Sequence, residues 1–223
     1  LGGNMIEGQE VRRYDLLKCT FIIPLRIETA DRMRNIITTL IYLTRNFACR
    51  VIVKEVDKES IYLRDVKPLL EQALEPEMLA SIEHIFEKSD EFTFHRTKIL
   101  NDMLWMVETP VVANYDSDII LPIDSYVNAT NMISKGWVHP DAEGGQPVKV
   151  VYPYGMGEYQ YQCHIGDEHA TAFVNSGFNF ESFNGRMRKW DAKYGFCQFF
   201  DTEEYKRLGG ENENFIAYGY EDD

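Results

Sequence analysis

The sequence predicts an α/β fold, a mixed sheet with helices on both faces. Three observations predict it. Between residues 19 and 122, short apolar runs of strand-forming residues alternate with stretches whose apolar residues recur at helical spacing, the pattern of a parallel sheet. One run, Val111-Val112-Ala113-Asn114, is bounded by Pro110 and Pro122 and stops on Asp116-Ser117-Asp118, which suits a buried central strand. An apolar fraction of 44% with 13% aromatics over 223 residues supports a packed core, and the length fits one sizeable domain, though two small ones are open.

The elements follow in order. Residues 1–15 are polar and charged and predict a loosely held arm. Cys19 to Leu25 is a first strand closed by Pro24, and Thr29 then caps a helix with Asp31 in its first turn. Met33, Ile36, Ile37, Leu40, Leu43 and Phe47 give that helix one apolar face. Val51 to Val56 is a second strand ending at Asp57, a helical segment covers Asp65 to Leu74, and Ile82 to Phe86 is a shorter third strand. Arg96 to Val107 carries Ile99, Leu100, Met103, Leu104 and Val107 on one face, a helix feeding the acidic strand. Beyond Pro122, Ile123 to Ser134 suits a helix and Val148 to Tyr152 a strand mixed into the sheet. Glycines and aromatics leave 153–194 without a clear period, except that His164 and His169 read as surface residues of a mobile loop. Gly195 to Phe200 is a last strand and Thr202 to Leu208 a short helix.

A net charge of −13 disfavours binding to nucleic acid or an anionic membrane surface by broad electrostatics. Any anionic ligand must be met by a few placed cations or a metal. Cys19, Cys49, Cys163 and Cys197 are widely spaced with no C-x-x-C, which predicts reduced, buried thiols and a cytoplasmic setting rather than a zinc site. No run of 18 apolar residues occurs and no basic-then-apolar start is present, so no direct membrane insertion is expected. The chain starts at Leu1 without methionine and ends at Glu221-Asp222-Asp223, which suggests a piece trimmed from a longer protein.

Open α/β sheets place ligands at the carboxyl ends of strands. Asp116 and Asp118, one residue apart at such an end, would repel one another and resist desolvation, so they call for a cation. Hard carboxylate oxygens favour Mn²⁺ or Mg²⁺, ions that keep some waters and bind substrate phosphates. A solvated turn is the other reading of Asp-Ser-Asp.

Three further segments join this strand. Ile22-Ile23-Pro24-Leu25-Arg26 resembles the I-I-P-F-R opening of the β-1,4-galactosyltransferases and related GT-A glycosyltransferases, a family 2-like group. Phe94-His95-Arg96-Thr97-Lys98-Ile99-Leu100-Asn101 resembles their F-N-R-A-K-L-L-N segment. Tyr194-Gly195-Phe196, then Gly209-Gly210-Glu211-Asn212-Glu213-Asn214-Phe215 and Tyr218-Gly219-Tyr220-Glu221-Asp222-Asp223, are similar to their Gly-Gly and N-G-F-x-N-x-x-x-W-G-x-E-D-D close.

The resemblance implies a GT-A, Rossmann-like nucleotide-diphospho-sugar transferase domain over 1–223, truncated at its C-terminus. Its nucleotide-binding half would be 1–122 and its acceptor-binding half 123–223. It implies metal-dependent, inverting transfer of a hexose or N-acetylhexosamine from a UDP-sugar donor to a glycan acceptor. Pro24, Arg26, Asp57, Phe94, Arg96, Asp116 and Asp118 are implied at the nucleotide sugar, with Asp118 and Asp116 also holding the metal. Asp222 is implied as catalytic base, Glu221 as its partner on a sugar hydroxyl, and Tyr218 and Gly195 at the acceptor. Neighbouring acids at 221–223 can raise one pKa toward the useful range.

The match has departures. Phe196 and Cys197 replace the second Gly and its successor, Glu28 stands where a second arginine belongs, and the family's metal-binding histidine lies downstream of where this sequence stops. Two other readings stand beside it. A sugar nucleotidyltransferase would need a Gly-rich first loop, and Arg26-Ile27-Glu28-Thr29 has no glycine. A non-catalytic carbohydrate-binding domain would line a groove with its aromatics and need neither nucleotide nor metal.

Overall fold

The computed structural model describes residues 13–141, 143–155, 160–189 and 195–216. Strand β1 (Tyr14–Leu25) leads through Thr29 into helix α1 (Ala30–Asn46) and strand β2 (Phe47–Asp57). A π-helical turn (Tyr62–Val66), α2 (Lys67–Ala73) and α3 (Pro76–Ala80) connect to β3 (Ile82–Lys88). Then come α4 (Arg96–Leu104), β4 (Val111–Tyr115), α5 (Ile123–Ser134), β5 (Val150–Val151), β6 (Tyr161–Cys163), α6 (Asp167–Asn175), β7 (Met187–Lys189), β8 (Cys197–Asp201) and α7 (Thr202–Arg207).

Six strands form one sheet in the order β3-β2-β1-β4-β8-β5, and β6 pairs with β7 apart from it. The pairs among β3, β2, β1 and β4 are parallel, while β8 runs antiparallel to both β4 and β5. This is the mixed α/β sheet the sequence predicts. Side chains alternate across β1: Phe21, Ile23 and Leu25 enter one core with residues of α1, α5 and α6, and Ile22 enters a second with residues of α4 and α7. That alternation is the period-2 geometry of a strand buried on both sides. Phe21 meets Tyr115, Phe199 and Tyr126 edge-on at 5.4, 5.9 and 6.0 Å between ring centroids, contacts that add to their area burial.

Several boundaries differ from expectation for tertiary reasons. β1 begins at Tyr14, inside the expected loose arm, because Tyr14 and Asp15 pair with Phe47 and Ala48. Phe47 leaves α1 with extended φ/ψ and opens β2, yet stays fully buried against Tyr42 and Tyr126. The Val148–Tyr152 strand shrinks to two residues, since the Val148 N–H bonds the carbonyl of Trp137. α6 occupies the stretch without a clear period, with Phe173 buried and stacked on Tyr42. His169 therefore lies in the first turn of a helix rather than in a loop, its Nδ1 accepting the Gly166 N–H at 3.2 Å. Cys19, Cys49 and Cys197 are buried free thiols as expected, whereas Cys163 is exposed. No helix among the described residues is long and apolar enough to cross a membrane.

Candidate functional site

Strand order reverses between β1 and β4: β2 and β3 extend to one side of β1, and β4 lies on the other. Such a switch point opens a crevice beyond the carboxyl ends of the strands. Ile22 lies opposite Asn114 in parallel register, so Arg26 and Asp116 leave the sheet at the same edge.

On the β1–β3 side, a cleft of ≈ 360 Å³ is lined by Arg26 to Glu28, Asp57 to Glu59, Ile61 and Ser89 to Phe92, a size typical of small-molecule sites. Arg26 is only 7% exposed. Its Nε donates to the Val56 carbonyl at 2.9 Å and its Nη1 to the Phe92 carbonyl at 2.8 Å. The guanidinium lies over the Phe94 ring, 5.3 Å from its centroid, a cation–π contact. It forms no ion pair among the described residues. Asp57 closes β2: its carboxylate accepts the Lys58 N–H at 2.7 Å and its carbonyl accepts the Ser89 N–H at 2.9 Å. Pro24 lies opposite Lys54 in the sheet. Beneath this rim, the buried Glu55 carboxylate takes hydrogen bonds from Ser60 Oγ at 2.5 Å and the Tyr62 N–H at 3.0 Å and faces His84 Nε2 at 3.1 Å. Burial alone would raise its pKa, but the His84, Ser60 and Tyr62 contacts together hold it below the usual glutamate value.

On the β4 side, Asp116 accepts from Arg96 Nη2 at 3.0 Å and Nε at 3.3 Å, both on Oδ1. Its own N–H donates to the Phe196 carbonyl at 2.9 Å. Asp118 opens to solvent on one side, yet the protein crowded around its carboxyl is the largest cause holding its pKa above the usual aspartate value. The Asp116 charge adds to this and Arg32 opposes it. The turn between these acids is tightly held. Thr39 Oγ1 donates to the Ser117 carbonyl at 3.0 Å, Tyr42 donates to the Leu121 carbonyl at 2.7 Å, and Tyr115 and Tyr126 bond Ile119 and Leu121. Gly195 stands beside them: its carbonyl accepts from Tyr154 Oη, and Phe196, which follows it, carries the oxygen that holds Asp116.

The segment 209–215 is strapped across the same edge. Asn101 Nδ2 donates to the Glu211 carbonyl and to Glu213 Oε1, each at 2.9 Å, while its Oδ1 accepts the Glu211 N–H at 2.8 Å. Asn114 Nδ2 donates to Tyr205 Oη and Glu211 Oε1, each at 2.8 Å. His95 Nε2 lies 3.0 Å from the Glu213 carbonyl, and Thr97 Oγ1 donates to that of Phe215 at 3.0 Å. Gly210 has φ +73°, and a Cβ there would collide with Asn101 Oδ1. The first two motif segments, the described parts of the third (195–196 and 209–215) and the acidic strand thus meet at one edge. Tyr218, Glu221 and Asp222 lie outside the described residues.

Two neighbouring carboxylates, one of them with its proton affinity raised by burial first and by the other's charge second, have the chemistry of a divalent-cation site. Among the described residues no group of three His, Cys, Asp or Glu side chains is arranged to hold a metal. The spacing of motifs on the sequence did not reveal Phe92, 97% exposed on the cleft rim, or the Asn101–Glu211–Asn114 knot. A signal for the knot was present in two asparagines set within apolar stretches.

Neither a protein-family model nor a curated protein sequence matches the chain. Among solved structures it is similar to the mannosyltransferase PcManGT from Pyrobaculum calidifontis in complex with GDP-Man and Mn²⁺, at 18% identity and TM-score 0.48, over 88% of this chain and 48% of that one. It is similar to a 1–349 segment of S. aureus TarS at 10% identity and TM-score 0.46, over 89% and 51%. A CMP:2-keto-3-deoxy-manno-octonic acid synthetase complexed with CTP matches at 14% identity and TM-score 0.39, over 86% and 77%. The chain spans about half the length of the first two structures.

Proposed function

We propose that the chain is the GT-A domain of a metal-dependent, inverting glycosyltransferase that moves a hexose or N-acetylhexosamine from a UDP-sugar to a glycan hydroxyl. The observation that carries this is a buried guanidinium, Arg26, without an acidic partner among the described residues, on the same sheet edge as the acid pair Asp116 and Asp118. Buried charges are ordinarily paired, so one rim calls for an anion and the other for a cation. A nucleoside diphosphate carrying its divalent ion answers both. In this reading the nucleoside enters the cleft beside Asp57, the diphosphate lies between Arg26 and Arg96, and Asp118 with the free Oδ2 of Asp116 holds Mn²⁺ or Mg²⁺. Bound there, the ion would neutralise the charge that develops on the departing diphosphate. Asp222 accepts the proton of the attacking acceptor hydroxyl, Glu221 orients a sugar hydroxyl, and Tyr218 and Gly195 shape the acceptor side. A single in-line displacement with the base opposite the leaving group inverts the sugar carbon.

Titration calorimetry with UDP and Mn²⁺ tests the reading. Heat is expected for the wild type only when Mn²⁺ is present, and none for Asp118→Ala. Silence from the wild type under both conditions, or an unchanged signal from the variant, would sink it.

A further inference from the structure

We propose that Phe92 is a stacking platform for the nucleobase of the donor, an inference that rests on the reading above and adds to it a residue the sequence did not single out. Phe92 lines the cleft and is 97% exposed. A large aromatic ring held so far out in water at the mouth of a cleft is an apolar face without a partner among the described residues, and burying it there is favourable. Its backbone is not loose. The Phe92 carbonyl takes the 2.8 Å hydrogen bond from Arg26 Nη1, and the same guanidinium bonds the Val56 carbonyl at 2.9 Å, which ties the segment after β3 to the end of β2. Ser89 at the start of that segment donates its N–H to Asp57 and takes the Glu91 N–H on its Oγ. The ring is thus free while its base is fixed, the arrangement that lets an aromatic close on a flat ligand at small entropic cost. Phe94 is differently engaged: its ring lies against the guanidinium and packs on the α4 side of the core. The rest of the lining supplies what a base needs. Ile27 and Ile61 are apolar walls, and Asp57 and Ser89 offer oxygens toward ring N–H donors. Every base has a π-face, so stacking here serves uracil and guanine alike.

Equilibrium binding of UDP, GDP and inorganic pyrophosphate, each with Mn²⁺, to the wild type, Phe92→Ala and Phe92→Trp separates the possibilities. Phe92→Ala is expected to weaken UDP and GDP each roughly tenfold and to leave pyrophosphate unchanged. Phe92→Trp is expected to retain affinity and to show tryptophan quenching by UDP beyond that of the wild type. Equal loss of nucleotide and pyrophosphate in Phe92→Ala, or no loss of either, overturns the stacking role. A wild type that binds pyrophosphate but gains nothing from a base also overturns it, while a wild type that binds none of the three removes the donor reading itself.

Discussion

The two rims of the crevice are built on opposite electrostatic plans. On the β1–β3 side, Arg26 donates to two uncharged backbone carbonyls and forms no ion pair among the described residues. On the β4 side, Arg96 is paired with Asp116, and Asp118 remains as a carboxylate with raised proton affinity. A guanidinium can thus serve as a structural brace and as an electrostatic lure at once, provided its bonds go to neutral acceptors. Paired with a carboxylate, as Arg96 is with Asp116, it braces and offers a ligand only part of its charge. The outer lining of the cleft holds five acids, Glu28, Asp57, Glu59, Asp90 and Glu91, against one further cation, Lys58. An anion would therefore enter there together with its counter-cation.

The sharpest way to break this comparison is to remove each arginine. Arg26→Met leaves the Val56 and Phe92 carbonyls without their donor, and the loss should be about 3 kcal/mol in urea unfolding. Arg96→Met removes the ion pair with Asp116, between half-buried side chains, and the loss of that pair should cost about 1 kcal/mol. Equal losses would mean that the two rims are braced alike. Gly210→Ala comes next, at about 2–3 kcal/mol, because it forces a side chain into left-handed φ and against Asn101. Peeling of 209–215 from α4, seen as faster amide exchange at Glu211, would accompany it.

Much of this was readable and some was not, for physical reasons. The strand ending at Asp116 and Asp118, the Thr29 cap, whose Oγ1 accepts the Arg32 N–H at 3.2 Å, and the helix opening at Arg96 are set by local signals that a sequence displays directly. The extension of β1 back to Tyr14 depends on pairing with Phe47, and the Asn101–Glu211 bond joins residues 110 apart; neither leaves a local trace. Phe92 and Phe94 stand two residues apart in a polar stretch, and only the structure separates the exposed ring from the one packed on the core. α6 is nine residues long with only Ala170 and Phe173 buried, too few to show a period.

Glu55 probes the floor of the first rim through pH. Its folded-state pKa lies below the usual 4.5, so the stabilisation is present above the unfolded value and is lost as pH falls through the folded one. Glu55→Gln should therefore be less stable than the wild type at neutral pH by about 1–2 kcal/mol. The gap should narrow below pH 4.5, as read from unfolding midpoints across an acid series. A gap that widened toward acid would reverse the sign assigned to Glu55.

The smallest expected effect lies on the second rim, at the position where the galactosyltransferase pattern carries glycine. Phe196 has φ +62°, a conformation that costs a side-chain-bearing residue about 1–2 kcal/mol. Phe196→Gly removes that strain but gives back about 0.5–1 kcal/mol of chain entropy and the edge-on contact with Tyr154, whose ring centroid is 6.2 Å away. The terms nearly cancel, so the net change should stay within about 1 kcal/mol. The bond that matters to the acid pair runs from the Asp116 N–H to the Phe196 carbonyl, a backbone group that glycine keeps. Binding of UDP with Mn²⁺ should then match the wild type. A loss beyond about 2 kcal/mol would mean that the ring, and not the left-handed backbone, fixes this corner, and the second rim would then depend on side-chain packing more than on its backbone bonds.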